Sequence, residues 1–276
     1  MSVCARIKQK SLFKKKMSIE DVINDINLSY GICDENYRLI FNKIGKHTLI
    51  YDDEKLARGI DVSIEDSDIV LLLSLPTSSS EIRLFYKIIE KLCIKLKLKK
   101  YIREEDMVSI DDNERFIEYD EKASISGLED LKNRINQDTY KRFEIFGVYN
   151  PISIGINEID RIGTSLIKFE DFLHDIQAID VYYAAPNVYK INGKLVGIYA
   201  IGPNIPSVVP NEPYIVLNQI ENIDEWYVMF KEGKTVKYID FFAKCKNKKY
   251  YDANHVIVSL SDEEMNDLLE NNLVDL

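Results

Sequence analysis

The sequence predicts an α+β fold made of two diverged tandem copies of a β-α-β-β-β-α-β-β-α unit, packed with pseudo-two-fold symmetry. Three observations carry that expectation. A segment near the start recurs about 150 residues later, helix-start signals recur at matching places, and runs rich in Ile, Val and Tyr between them read as strands. The order of elements does not alternate strictly between strand and helix, which excludes a doubly wound α/β sheet.

The repeat is clearest where Ile19-Glu20-Asp21-Val22-Ile23-Asn24-Asp25-Ile26-Asn27 meets Phe169-Glu170-Asp171-Phe172-Leu173-His174-Asp175-Ile176-Gln177, with four identities. Ser2-Val3 pairs with Ser153-Ile154 at nearly the same offset. Gly45-Lys46 then pairs with Gly193-Lys194, Ile69-Val70-Leu71 with Ile215-Val216-Leu217, and Lys100-Tyr101-Ile102 with Lys237-Tyr238-Ile239, the offset shrinking steadily. The lobes are expected at 1–137 and 151–276, joined by a linker at 138–150.

Each element has a local reason. Helices at 19–27 and 168–177 carry apolar residues at helical spacing, and Ser18 with Asp21 forms a capping box. Strands at 37–41 and 47–51 flank a turn, and in the second copy Asn192-Gly193 supplies the two positive φ angles of a type I′ hairpin between 188–191 and 194–196. The unbroken run Ile69-Val70-Leu71-Leu72-Leu73 reads as a strand covered on both faces. Ser78 with Glu81 opens a helix over 79–96, striped by Ile82, Phe85, Ile89, Leu92 and Leu96. By comparison with that copy, 223–232 is expected to be a helix despite its strand-like residues. Strands at 99–103, 115–120, 236–243 and 250–259 follow, and helices at 127–136 and 262–272 close the two copies behind Ser126 and Ser261.

Composition bounds function. The chain has 276 residues, 46% hydrophobic and 30% charged, enough for two real cores. Its formal charge of −10 weighs against non-specific nucleic-acid binding. No run of apolar residues is long enough to cross a bilayer, so no membrane insertion is expected and the location expected is cytoplasmic. The four cysteines, Cys4, Cys33, Cys93 and Cys245, form no Cys-x-x-Cys pair and read as reduced thiols. No nucleotide loop or nucleophile-elbow motif occurs, and no cofactor or metal is expected.

The candidate residues are few. His174 lies three and four residues after Asp171 and Glu170, an imidazole beside two carboxylates on one helix surface. Such a set could orient a general base; the plain alternative is a solvated ion pair. The stretch 202–213 holds four of the seven prolines, and Pro203, Ile205, Pro206, Val208, Val209 and Pro210 offer a stiff apolar binding surface. The basic arm, with Lys8, Lys10, Lys14, Lys15 and Lys16 around Leu12 and Phe13, could meet an anionic partner. The acidic stretch from Asp111 to Asp120 lacks the glycine and spacing of a calcium loop and reads as an exposed loop.

The opening strand, the run Lys10-Ser11-Leu12-Phe13-Lys14-Lys15-Lys16-Met17-Ser18-Ile19-Glu20-Asp21-Val22 and the later Tyr30-Gly31 resemble an uncharacterised bacterial family of unknown function and similar length. The resemblance implies no catalytic residues. The reading is a non-enzymatic interaction or regulatory protein with another protein as partner. Two alternatives stand beside it: an enzyme or small-ligand binder with a site between lobes, and anion or nucleic-acid binding through the basic arm. The oligomeric state is left open.

Overall fold

The computed structural model describes residues 1–9, 16–137, 141–220 and 222–276. It is mixed α+β and divides into two compact units, Met1–Ala178 and Ile179–Leu276. Residues 151–178, expected to open the second copy, pack within the first unit.

The first unit runs β1 (Ser2–Ile7), α1 (Ile19–Ile26), β2 (Ser29–Cys33), β3 (Leu39–Phe41), β4 (His47–Tyr51), β5 (Ile60–Glu65), β6 (Asp68–Ser74), α2 (Ser79–Lys95), β7 (Lys100–Arg103), β8 (Asp106–Ser109), α3 (Asn113–Asn136), β9 (Phe143–Phe146), β10 (Pro151–Ile154), α4 (Ile156–Ile162) and α5 (Leu166–Gln177). Among the described residues, β1–β8 form one sheet in the order β3-β2-β4-β5-β6-β1-β7-β8, every pairing antiparallel. β9 and β10 form a separate hairpin. The capping box on α1 is present, with Asn27 left-handed at its end, and Ser78 caps α2 through the Glu81 N–H.

Three expectations change here. β6 is covered only in part on its outer face: Ile69, Leu71 and Leu73 are fully buried in the α1–α2 core and Val70 is buried on the other side, where Leu72 is 37% exposed. Residues 115–120 are helix, not strand, because Ile117, Asp120, Ser124 and Leu128 recur at steps of three and four and are buried along α3. The strands β3 and β4 do not pair with each other, since β2 lies between them.

The second unit runs β11 (Tyr182–Tyr183), β12 (Pro186–Ile191), β13 (Lys194–Ala200), β14 (Ser207–Pro210), β15 (Glu225–Met229), β16 (Thr235–Lys237), α6 (Tyr238–Lys244), β17 (Lys249–Tyr250), β18 (His255–Val258), α7 (Asp262–Asn272) and β19 (Leu273–Val274). Two sheets result, β11-β14-β18-β17 and β12-β13-β15-β16-β19, with β11/β14 and β13/β15 parallel. The Asn192-Gly193 hairpin forms with both residues at positive φ, 50° and 84°. α7 occupies the expected residues behind a full capping box on Ser261.

The helix expected at 223–232 is the central strand β15. Its residues Glu-Trp-Tyr-Val-Met favour a sheet, and pairing with β13 and β16 on either side satisfies the main chain. The strand expected over 236–243 ends at Lys237 and turns into α6, which buries Tyr238 and Phe241 three residues apart. Ile215-Val216-Leu217, aligned with the core of β6, leads into a 3₁₀ turn with Leu217 at φ 57°.

Candidate functional site

The most developed site lies in the first unit, around Arg58. The loop 56–59 has no regular structure, yet four of its main-chain groups are held by side chains from elsewhere. His174 Nδ1 accepts the Leu56 N–H at 3.2 Å, and Gln177 Nε2 donates to the Ala57 carbonyl at 2.9 Å. Glu81 accepts the N–H groups of Arg58 at 3.0 Å and Gly59 at 2.6 Å, and the Thr77 hydroxyl as well. Gly59 has φ +78°, and a Cβ there would lie 2.6 Å from Leu49 Cγ, so both conformation and space ask for glycine.

So held, the loop presents Arg58, whose side chain is clamped in turn. Its Nε donates to the Phe146 carbonyl at 3.1 Å and its Nη1 to the Pro76 carbonyl at 3.1 Å. Among the described residues the guanidinium forms no ion pair with a carboxylate. Glu81, the nearby acid, is bound to the main chain of the loop instead. Burial pushes the Arg58 pKa down, opposed by Glu81; burial pushes the Glu81 pKa up, opposed by its donors Thr77, Gly59 and Arg58. An arginine stays charged throughout, so its charge is held in place with neutral carbonyls as its direct partners.

Arg58 lines a pocket of about 760 Å³. The pocket is bounded by α3, by β9 and by Leu75-Pro76. Its apolar wall includes Leu75, Pro76, Ala123, Leu131, Phe143 and Ile145; Tyr119, Lys122, Ser126 and Asp130 stand on its α3 side, and Glu144 on its β9 side. α3 approaches closely at Gly127, where a Cβ would meet Pro76 Cδ at 3.3 Å. The volume and the proportion of apolar wall to a few placed polar groups are those of a small-ligand site.

The residues singled out from the sequence take other places. Glu170 accepts the Ser80 hydroxyl at 2.6 Å and the Ser80 N–H at 3.3 Å, at the start of α2, with Lys55 Nζ at 3.4 Å. Asp171 is exposed. Glu170 and His174 therefore fasten α5 to α2 and to the Arg58 loop. Pro203, Ile205 and Pro206 precede β14, and Val208, Val209 and Pro210 lie within it, buried between β11 and β18. Of the residues expected to offer an apolar surface, Val208, Val209 and Pro210 are thus interior, whereas Ile205 and Pro206 are exposed and Pro203 is half-buried. Lys8 and Lys16 are exposed, while Lys10, Lys14 and Lys15 lie outside the described residues. The acidic stretch is no loop: Asp120 is buried on α3, 2.5 Å from Arg103 Nη2 and 2.5 Å from the Tyr86 hydroxyl. Among the described residues no group of His, Cys, Asp and Glu is arranged to hold a metal.

Sequence reasoning missed Arg58 altogether. Gly59 beside it was the one local signal, a glycine between a loop and a strand. It also missed a buried network in the second unit, where Asp252 Oδ1 lies 2.7 Å from His255 Nδ1, and His255 Nε2 lies 3.2 Å from Tyr183 and 3.3 Å from Tyr214 hydroxyls. His255 is 2% exposed, which makes this a core network.

The domain of unknown function DUF4299 matches residues 2–268 of the chain. The chain belongs to the DUF4299 family. Neither the curated proteins nor the solved structures contain a match to it. This family membership agrees with the resemblance carried by the opening segment. No helix of the described residues is long and apolar enough to cross a membrane.

Proposed function

We propose that the Met1–Ala178 unit of this DUF4299 chain is a ligand-binding module for a small organic acid. The ligand's carboxylate meets Arg58, and its apolar body lies against the Leu75, Pro76 and Phe143 side of the pocket. The observation that carries this is the preorganised guanidinium: clamped by the Phe146 and Pro76 carbonyls, it lines an open pocket and, among the described residues, is ion-paired to neither of the two carboxylates there, Asp130, which is bonded to Arg134 at 2.8 Å, and Glu144. A planar fork already ordered loses little entropy on binding a carboxylate, which raises affinity per hydrogen bond. Lys122 on α3 adds a second positive charge to a lining that also holds Asp130 and Glu144.

A cytoplasmic regulatory role, in which the ligand changes how the chain meets another protein, is the form of the proposal most in keeping with the acidic composition. A tandem origin belongs with it: β1–α1 and β10–α5 repeat one strand-then-helix opening at an offset near 150, and we read that opening as the trace of a duplication.

Native mass spectrometry of the purified chain, followed by calorimetric titration with a series of aliphatic and aromatic monocarboxylates, tests the reading. The wild type binds members of the series, and Arg58→Gln weakens binding at least tenfold. Carboxylate binding that is indifferent to Arg58→Gln, or absent across the series, overturns it.

A further inference from the structure

We propose that the same unit carries a second, separate anion site, a groove for a condensed-phosphate group at the end of β1 and the start of β7. The groove has a volume of about 380 Å³, and five of its lining side chains are cationic: Arg6, Lys8, Lys97, Lys99 and Lys100. In a chain whose acids outnumber its bases by ten, such a gathering needs a reason.

The register supplies the first part of the argument. β1 and β7 are antiparallel, with Ala5 opposite Arg103 and Arg6 opposite Ile102. The paired stretch ends there, and Lys8, just after β1, and Lys100, at the start of β7, both line the groove beyond it. Like charges gathered in one groove repel. Carboxylates do not relieve these lysines. Arg6 is bonded to Glu65 at 2.7 Å and lies 3.9 Å from Asp68, but Lys8, Lys97, Lys99 and Lys100 form no ion pair among the described residues.

The backbone at Lys97 supplies the second part. α2 ends in a Schellman turn, in which the Leu98 N–H reaches the Cys93 carbonyl at 2.8 Å and the Lys97 N–H the Ile94 carbonyl at 3.0 Å. The residue at the left-handed position of such a turn is usually glycine. Here it is Lys97 at φ 57°. A side chain held there at a steric cost of about 1 kcal/mol marks a position where the side chain is wanted. The negative end of the α2 dipole eases the charge on Lys97 itself. It does not reach Lys8 and Lys100 on the sheet, so the repulsion there is left for a bound anion to relieve.

A compact groove with several converging ammonium groups suits a small ligand of several negative charges rather than one carboxylate. The groove residues are distinct from those around Arg58, so the two sites can be tested apart. Calorimetric titration of the full chain with inorganic tripolyphosphate in 50 mM salt reads the groove directly. The wild type binds tripolyphosphate at least tenfold more tightly than orthophosphate, and raising the salt to 300 mM weakens binding at least tenfold. The double variant Lys99→Gln, Lys100→Gln loses at least tenfold in affinity, with its circular dichroism unchanged because both side chains are exposed. Arg58→Gln leaves the tripolyphosphate affinity as in the wild type. Absence of binding at low salt overturns the proposal, as does equal binding by the double variant or loss of binding in Arg58→Gln. Tighter binding of a single-stranded oligonucleotide, or of phosphatidylserine vesicles, that displaces tripolyphosphate overturns the small-ligand assignment in favour of those polyanions.

Discussion

The main-chain N–H of Gly59 donates to Oε1 of Glu81 at 2.6 Å, across 22 residues of sequence, and this bond fixes where Arg58 stands. Glu81 opens α2 and is buried, so the first turn of a core helix and the ligand-facing loop share one carboxylate.

Glu81→Ala removes the acceptor of three donors at once, the N–H groups of Arg58 and Gly59 and the Thr77 hydroxyl. Buried donors without acceptors are destabilising by about 1–3 kcal/mol each before relaxation, so an overall loss of about 3 kcal/mol is expected. Urea unfolding followed by far-UV circular dichroism measures it. A loss below about 1 kcal/mol would mean that the loop finds other acceptors and that Glu81 does not hold it.

Glu170 gives a pH signature. Burial pushes its pKa up, but the Ser80 hydroxyl, the Ser80 N–H and Lys55 together outweigh burial and hold it below the ordinary value of 4.5. A carboxylate with a depressed folded-state pKa contributes stability above its unfolded value and loses it as the pH falls through the folded one. Glu170→Gln is therefore expected to melt about 1–2 °C below the wild type at pH 7, the size suited to a partly exposed, solvent-screened group. The gap should close as the pH falls below 4.5. Thermal melts of both proteins between pH 7 and 3 check this, and a gap constant with pH refutes it.

How much of this was legible in the sequence depends on the range of the interactions concerned. The α1 and α7 capping boxes and the Asn192-Gly193 turn are set by residues three or fewer apart, and they were readable. β15 was misread because the first copy was used as a template against its own residue preferences, and preference won once β13 and β16 paired on either side. α3 was misread across 115–120, although Ile117, Asp120 and Ser124 already carried a helical stripe. The Arg58 site was not readable at all. Its loop is held by side chains at 81, 174 and 177, and its guanidinium by carbonyls at 76 and 146, and only the assembled fold brings these together. His174 did stand out as unusual in the sequence, but its partner, the Leu56 N–H, lies 118 residues away.

The single tryptophan offers a local probe of the second unit. Gly197 of β13 is paired directly with Trp226 of β15, and a Cβ on Gly197 would lie 2.3 Å from two indole carbons. Such a contact cannot be absorbed without moving the ring. Gly197→Ala is expected to destabilise the unit by about 1–3 kcal/mol and to shift the Trp226 emission to longer wavelength as the indole is pushed outward. An unchanged emission spectrum would contradict the packing described.

The buried network in the same unit can be read by the same probe. A carboxylate only accepts hydrogen bonds, so Asp252 Oδ1 takes the proton-bearing Nδ1 of His255, which leaves Nε2 of the neutral ring to accept from the hydroxyls of Tyr183 and Tyr214. The ring thus links the turn before β18 to β11 and to the segment ahead of the 3₁₀ turn. His255→Phe keeps the volume and the aromatic packing and deletes all three hydrogen bonds. A loss of about 1–3 kcal/mol is expected, because Asp252 and Tyr183, which lose this partner, are buried. Urea unfolding monitored at Trp226 gives the value. A change below about 0.5 kcal/mol would show that His255 acts by packing alone, since in Phe only the polar links are missing.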